Sequence, residues 1–234
     1  MPVEPNLLRA GIARLAKLGA TNPPLEDLLG EVVGAIHSLF GLSGAGFMMV
    51  DDQNALRSVV ASDHAGELME LAQRDHGEGP CVDALVFDTI TTCADLGSDP
   101  RYQKVGPVLA AQGIHALMGV PIRVAGGPVG SLNVYVDQPH EWTQDDIGAL
   151  DTYAQLLAGF LAAALAAHQQ NEVADQLQYA LDYRVVIERA VGYLMARHNV
   201  GAVEAFNLLR RTARDRQRRV ADVARDVLDR KIPL

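Results

Sequence analysis

The stretch IHALMGVPIRVAGGPVGSLNVYV, residues 114–136, decides the fold of this chain. It contains two apolar runs, Ile114 to Ile122 and Pro128 to Val136, on either side of the turn Ala125-Gly126-Gly127. Apolar runs separated by a short glycine-rich turn are typical of two antiparallel strands. The stretch therefore predicts a β-hairpin.

Further strands and several helices are predicted before this hairpin. The predicted strands are Gly46 to Asp51, Leu56 to Ser62 and Thr89 to Cys93, and the predicted helices are Pro5 to Leu18, Leu25 to Phe40, His64 to Arg74, one that begins at Pro80, and Tyr102 to Gln112. Strands and helices do not alternate strictly, as they would in a parallel sheet with crossover helices. The sequence therefore predicts an α+β fold in which helices pack on an antiparallel sheet.

A long helical region follows the hairpin. No proline occurs between Trp142 and Pro233, and apolar residues recur there at helical spacing. A continuous helix from Thr143 to about Arg197 would be on the order of 80 Å long, and such a helix generally pairs with another. We therefore expect a homodimer joined through this helix and the N-terminal helix. The polar segment His168 to Glu172 predicts a kink or break, and a helix packed entirely on its own domain is the alternative.

The C-terminal region is basic, whereas the rest of the chain is acidic. Residues 176–234 carry 12 lysines and arginines against 7 acidic residues, and residues 1–175 carry 8 against 22. Apolar stripes predict three helices in the basic region, which form a small bundle and leave the arginines of RRTARDRQRR, residues 210–219, exposed. Such a surface suits a polyanion, because arginines displace the counterions of phosphates. A merely solvated helix face is the alternative.

Composition and motifs limit the remaining classes of protein. The most apolar run, Leu156 to Ala167, is well short of the roughly 20 residues of a membrane span, and MPVEPNLLRA shows no secretion signal. We therefore expect a cytoplasmic protein that does not bind membranes. Cys81 and Cys93 lack metal-binding spacing and are predicted to be buried thiols. Signatures of metalloproteases, serine hydrolases, P-loops and dinucleotide-binding sites are absent, so the sequence predicts no catalytic residues and no metal.

The larger part of the chain resembles a GAF domain, a small-molecule sensor module of bacterial regulators. The resemblance extends over about residues 25–165 and rests on GEGPCVDAL (77–85), DLGSDPRY (95–102), GVPI (119–122), VGSLNVY (129–135) and WTQDDIGALDTYA (142–154). It implies a six-stranded or similar antiparallel sheet, one face of which encloses a ligand pocket beneath loops and short helices. It does not name the effector, because GAF domains bind cyclic nucleotides, haem, tetrapyrroles or nothing.

Candidate pocket residues follow from their positions on these strands and on the helix expected to cover them. They are Met48, Cys81, His115, Met118, Asn133 and Tyr135. All of these residue types also occur in cores without a ligand. His76, Cys81 or His115 has the chemistry to ligate a haem iron, but their spacing does not favour it, so the cofactor stays unassigned.

The C-terminal region resembles the ANTAR domain, an RNA-binding module of transcription antitermination regulators. The resemblance covers about residues 176–230 and rests on ALDYRVVIERAVGYLMARHNV (180–200), EAFNLLRR (204–211) and RRVADVA (218–224). It implies a dimer that holds paired RNA stem-loops of a leader transcript and so prevents an overlapping terminator hairpin from forming. Arginines suit this task because they contact phosphates and stack on bases.

The candidate RNA-binding residues are Arg184, Arg210, Arg211, Arg214, Gln217, Arg218 and Arg219. Arg184 and Arg219 match basic positions of the family. The chain departs from the family at Val191, where lysine is usual, at Tyr183, where serine is usual, and at Ala213 and Gln217, where serine and asparagine are common. These differences affect the RNA preference, and Tyr183 either stacks on a base or packs at the dimer seam.

Together these patterns predict an N-terminal helix (1–24), a GAF sensor (25–165), a helical linker (166–175) and an ANTAR domain (176–230). The predicted function is a one-component antitermination regulator, not an enzyme, that binds leader RNA under the control of a small-molecule effector. The alternatives are a DNA-binding regulator, a protein-interaction module, and a GAF-type reductase of free methionine sulfoxide that uses a cysteine thiolate.

Adjacent Asp51 and Asp52 resemble the acidic pair of a receiver domain, but the hairpin turn after them favours a plain polar turn.

Overall fold

The computed structural model describes residues 5–19, 23–50, 56–166, 172–216, 218 and 220–231. Its helices are α1 (Pro5–Gly19), α2 (Leu25–Phe40), α3 (His64–His76), α4 (Pro80–Phe87), α5 (Val105–Ala110), α6 (Gln144–Ala166), α7 (Glu172–His198), α8 (Ala202–Asp215) and α9 (Val220–Leu228). Its strands are β1 (Gly44–Val50), β2 (Leu56–Ala61), β3 (Thr91–Cys93), β4 (Ala116–Val124) and β5 (Gly127–Val136). The acidic pair Asp51 and Asp52 lies outside the described residues.

The described strands form one antiparallel sheet in the order β2-β1-β5-β4-β3. The predicted hairpin is β4 and β5, which pair from Ala116 opposite Val136 to Val124 opposite Gly127. Ala125 and Gly126 turn the chain with φ values of 49° and 82°, as a tight hairpin turn requires. The α+β prediction is confirmed, and the sheet has five strands in the described residues instead of the six that the resemblance suggested.

One face of the sheet packs against α1, α2 and α6. Alternate residues of β1 and β5 point to this face, as the two-residue period of a strand requires. The strand residues buried there are Ala45, Phe47, Met49, Met118, Val120, Ile122, Val124, Val129, Leu132 and Val134. They meet Leu29, Val32, Val33 and Ile36 of α2 and Leu150, Tyr153, Leu157 and Leu161 of α6. This layer is a predominantly apolar core, in which Tyr153 contributes a buried hydroxyl group.

The opposite face of the sheet is covered by α3, α4 and α5. Met48, Leu117 and Tyr135 are buried there. Asp63 caps the start of α3 by accepting a hydrogen bond from the Gly66 amide at 2.7 Å, and Pro80 begins α4. Unlike the first layer, this one contains buried polar side chains.

The three C-terminal helices form a separate bundle. Its buried residues are Ala190 and Leu194 of α7, Ala205, Leu209 and Ala213 of α8, and Val223, Ala224 and Val227 of α9. The apolar stripes predicted from the sequence thus face inward. α7 also packs against α6, β1 and β5. The predicted interruption falls between α6 and α7, and residues 167–171 lie outside the described part of the chain.

Gly119 of β4 permits the close approach of α4 to the sheet. A Cβ atom at this position would lie 2.8 Å from the carbonyl oxygen of Pro80 and 2.9 Å from the Cα atom of Cys81, both backbone atoms. We expect Gly119→Ala to lower the free energy of unfolding by about 1–3 kcal/mol, because the helix must move away from the strand. Urea denaturation measures this change.

The matched control is Gly148→Ala in α6, where an added Cβ meets no atom within 4 Å. This substitution should leave stability unchanged or raise it by up to about 1 kcal/mol, because alanine favours helix. Equal losses for the two variants would contradict the packing argument.

Candidate functional site

A buried polar cluster lies between α3 and the sheet. Glu70 and Gln73 of α3 and Ser131 and Asn133 of β5 are at most 1% exposed. The Asn133 amide donates to Glu70 Oε1 at 3.4 Å. Among the described residues, Glu70 Oε2, Asn133 Oδ1 and Ser131 Oγ have no hydrogen-bond partner. Buried polar atoms without a partner are uncommon in folded proteins, and functional sites are one reason for them.

Gly46 of β1 makes room for the Glu70 carboxyl group. A Cβ atom on Gly46 would lie 2.3 Å from Glu70 Oε1. The glycine thus lets a carboxyl group of α3 reach the backbone of the sheet. Burial raises the pKa of Glu70 to about 8, against the opposing effects of hydrogen bonds with Ser58 and Asn133. Glu70 is therefore largely protonated at neutral pH.

Gln73 connects this cluster to the start of α4. Its side-chain Oε1 accepts a hydrogen bond from the Cys81 backbone amide at 3.0 Å, and its Nε2 lies 2.9 Å from Cys81 Sγ. Gln73 is fully buried and uses both ends of its amide group. It fixes the turn between α3 and α4 with respect to the sheet.

Neither cysteine has the properties of a reactive thiolate. Both are free and buried. Burial raises the pKa of Cys81 well above its usual value. Burial and the nearby Asp99 carboxylate, to which Cys93 Sγ donates at 3.3 Å, raise the pKa of Cys93 to about 12. Both thiols are therefore protonated at neutral pH, which makes them poor nucleophiles.

Four of the six candidate pocket residues share the face that contains the cluster. They are Met48, Cys81, Asn133 and Tyr135. The Tyr135 hydroxyl donates to Asp63 at 3.0 Å and so is occupied by the cap of α3. Glu70, Gln73 and Ser131 join them, and none of these three was among the residues predicted from the sequence.

The other two candidate pocket residues lie elsewhere. Met118 belongs to the opposite face and lines a cavity of about 150 Å³. The lining consists of Gly41, Leu42, Met118, Val134, Val136, His140, Trp142, Asp146 and Leu150. His115 precedes β4, half-buried, with its Nδ1 4.0 Å from Asp95 Oδ1. No group of three potential metal ligands exists among the described residues.

The basic surface of the C-terminal bundle is partly described. Arg211 of α8 is exposed, and the exposed Arg218 pairs with Asp226 at 2.5 Å. Arg210 is half-buried and donates to the carbonyl oxygen of Gly77. Arg184 lies in α7 and Arg214 lies in α8, but their side chains are outside the described part of the structure. Gln217 and Arg219 lie outside the described residues altogether. Other arginines of this region are also exposed and were not among the predicted candidates: Arg189, Arg197, Arg216, Arg225 and Arg230.

Two family models match the chain. A model described as GAF domain matches residues 22–162, and one described as ANTAR domain matches residues 175–228. The chain belongs to the GAF–ANTAR family. This GAF–ANTAR protein is therefore a regulator of the ANTAR type with a GAF sensor. Within the described parts of the chain, every helix is too short or too polar to span a bilayer.

Several solved structures share the fold of the GAF domain. The GAF domain of a phosphoenolpyruvate-protein phosphotransferase from Coxiella burnetii is 21% identical with a TM-score of 0.55, covering 69% of this chain and 94% of that one. The phycocyanobilin-bound GAF domain of a cyanobacterial phytochrome is 14% identical with a TM-score of 0.57, covering 70% and 98%. Free methionine-R-sulfoxide reductase from Neisseria meningitidis is 16% identical with a TM-score of 0.54, covering 68% and 91%. At these identities the likeness shows the fold alone. A search of curated proteins found no significant match.

The raised pKa of Glu70 predicts a pH-dependent stability. The folded chain holds this proton up to about pH 8, whereas the unfolded chain releases it near 4.5. The Glu70 contribution to the free energy of unfolding therefore falls as the pH rises through this range. The Glu70→Gln variant lacks that contribution. The free energy of unfolding of the variant, relative to that of the wild type, should therefore increase by about 1 kcal/mol or more between pH 5 and pH 8. Urea denaturation at several pH values measures the difference.

The control is Glu67→Gln, a neighbouring carboxylate on α3 whose side chain is 59% exposed. Its stability relative to wild type should change little with pH. If the free energies of unfolding of Glu70→Gln and wild type changed with pH in parallel, a raised pKa of Glu70 would be contradicted.

Proposed function

We propose that this GAF–ANTAR protein is a transcription antitermination regulator that binds RNA stem-loops through its ANTAR domain. The observation that carries the proposal is the set of exposed arginines, Arg211 of α8 among them, on a bundle that matches the ANTAR model. Arg211 and Asn207, one helical turn apart, are both exposed there. A guanidinium group binds phosphates and stacks on unpaired bases, and an asparagine amide can read a base edge.

The charge distribution supports a polyanionic ligand for the C-terminal domain alone. Residues 176–234 carry 12 basic and 7 acidic residues, and the other residues carry 8 and 22. An RNA would be attracted to the ANTAR bundle and repelled by the sensor. The sensor thereby limits nonspecific binding of nucleic acid along the whole chain.

We place the effector site of the sensor in the polar cluster beneath α3. The unpartnered oxygens of Glu70, Ser131 and Asn133 support a polar ligand that supplies both hydrogen-bond donors and acceptors, because a protonated carboxyl group and a hydroxyl group can donate and the Asn133 oxygen accepts. Cys81 and Met48 of the same face would pack against it. Because both thiols are buried and protonated, the alternative of a methionine sulfoxide reductase lacks its thiolate, and we propose a regulator without catalytic activity.

We further propose that the protein is a homodimer in which α7 pairs with a second copy. Val185 and Met195 of α7 are exposed by 47% and 36%, although both are large and apolar. Gly192 and Ala196 are exposed between and beside them. These residues recur at helical spacing on one side of α7, as expected for a helix that packs against a partner.

RNA binding can be measured with a labelled stem-loop and duplex DNA of equal length as competitor. Arg211→Ala should weaken RNA binding about tenfold, because a charged hydrogen bond to phosphate is worth roughly 1.5–3 kcal/mol. The slope of log affinity against log salt should fall by about one. We expect DNA to compete poorly.

A suitable control is Arg14→Ala in α1, whose side chain is 78% exposed on the sensor. It should leave RNA affinity near that of wild type. Equal effects of the two substitutions, or equal competition by DNA, would contradict RNA recognition by α8.

The dimer can be tested by sedimentation. Val185→Glu should shift the protein from dimer to monomer at micromolar concentration, because two carboxylates would be buried at the seam. Leu71→Glu, at a site 37% exposed on α3, is the control and should stay dimeric. A monomeric wild type, or dissociation by both substitutions alike, would exclude this seam.

A further inference from the structure

Arg210 connects the ANTAR bundle to the sensor. Its Nη1 donates a hydrogen bond to the carbonyl oxygen of Gly77, 133 residues earlier in the chain. Its guanidinium carbon lies 5.7 Å from the centre of the Phe206 ring, on the same helix. The arginine is half-buried, whereas its neighbour Arg211 is exposed. Adjacent arginines of α8 therefore have different surroundings, one facing the sensor and one facing solvent.

Gly77 offers Arg210 a favourable electrostatic position. It follows the last residue of α3 with φ of 63°, and the amides of Gly77 and Glu78 bond back to the carbonyl groups of Arg74 and Gln73. The C-terminus of a helix carries a partial negative charge and stabilises a cation. The carboxyl group of Asp83, in the first turn of α4, also interacts electrostatically with Arg210. Burial raises the pKa of Asp83, while the Tyr102 hydroxyl and the charges of Arg101 and Arg210 oppose the rise.

The segment that Arg210 contacts is tied directly to the buried polar cluster. Gln73 lies one turn before Gly77 and holds the amide and thiol of Cys81. Glu78 accepts hydrogen bonds from the amides of Lys104 and Val105 at 2.7 and 3.1 Å. Gln73 thus joins the cluster to the turn that contains the Gly77 carbonyl, through one helical turn and one short loop.

RNA on this end of α8 would conflict with the docked sensor. While Arg210 is docked, its Nη1 is engaged by the Gly77 carbonyl and its half-buried guanidinium group lies near the charge of Asp83, so fewer of its N–H groups are available to an RNA phosphate. A polyanion at the adjacent Arg211 would also be brought towards the carboxylates of Glu78 and Asp83. Like charges at close range raise the free energy of such a complex.

We propose that the turn between α3 and α4 is a docking surface for α8, and that this docking competes with RNA binding. In the docked state the sensor withholds Arg210 from RNA. An effector that rearranges the cluster around Glu70 and Gln73 displaces the Gly77 carbonyl and frees the arginine. The competition rests on the RNA binding proposed above, whereas the docking does not.

Hydrogen exchange of the full-length protein tests the docking without any RNA. Arg210→Gln should raise the exchange rates of the Glu78, Cys81 and Asp83 amides severalfold, because the turn loses its partner. Arg211→Gln is the matched control and should leave these rates unchanged. Unchanged β5 amides show that the fold is intact. If the two variants have the same rates in the turn, the docking is wrong.

RNA affinity tests the competition with a substitution outside the ANTAR domain. Asp83→Asn keeps an acceptor for the Tyr102 hydroxyl, which lies 2.9 Å away, but removes the charge. It should raise stem-loop affinity about fivefold or more, in the range of typical coupling between sites. Asp145→Asn, an exposed charge at the start of α6, controls for the general loss of negative charge.

The outcomes separate the two parts of the proposal. Equal effects of Asp83→Asn and Asp145→Asn would overturn the competition while the exchange data still decide the docking. Absence of RNA binding by wild type and both variants would overturn the proposed function and the competition together. A faster exchange of the turn amides when RNA is added to the wild type would support both.

Discussion

The close approach of two short helices to the sheet is the constraint on which the sensor depends. Gly46 lacks the Cβ atom that would collide with the Glu70 carboxyl group of α3, and Gly119 lacks the Cβ atom that would collide with the backbone of α4. The resulting layer is unlike the apolar layer beneath α2 and α6. One face of the sheet supplies an apolar core, and the other supplies buried titratable and hydrogen-bonding side chains.

This division explains what could be predicted from the sequence. The hairpin of residues 114–136, the helix boundaries around Pro80 and the three C-terminal helices follow from period and turn residues, which are local properties. Glu70 and Gln73 could not be found in this way, because a carboxylate and an amide on an amphipathic helix look like a solvated face. Their burial is visible only in three dimensions, where Gly46 of β1 leaves room for Glu70 and Gly79, before α4, leaves room for Gln73.

Met118 shows a second limit of predicting the pocket residues from the sequence. It was placed in the ligand pocket because its strand borders the pocket, but successive strand residues point to opposite faces. Its neighbour Leu117 faces α4, and Met118 faces α6.

The contact between Arg210 and Gly77 could not be predicted from the sequence either, since no local pattern relates residues so far apart. The sequence did show the opposite charges of the two regions, and these favour their association.

The sensor contains the chain's single tryptophan, Trp142, at the junction of the sheet and α6. Its indole nitrogen donates to the Cys93 carbonyl at 3.1 Å, its ring meets the His140 ring edge-on at 4.8 Å, and it borders the cavity of about 150 Å³. All tryptophan fluorescence of the protein therefore originates at this one place. The protein thus carries an intrinsic optical reporter of the sensor core, which needs no label and receives no contribution from the ANTAR bundle.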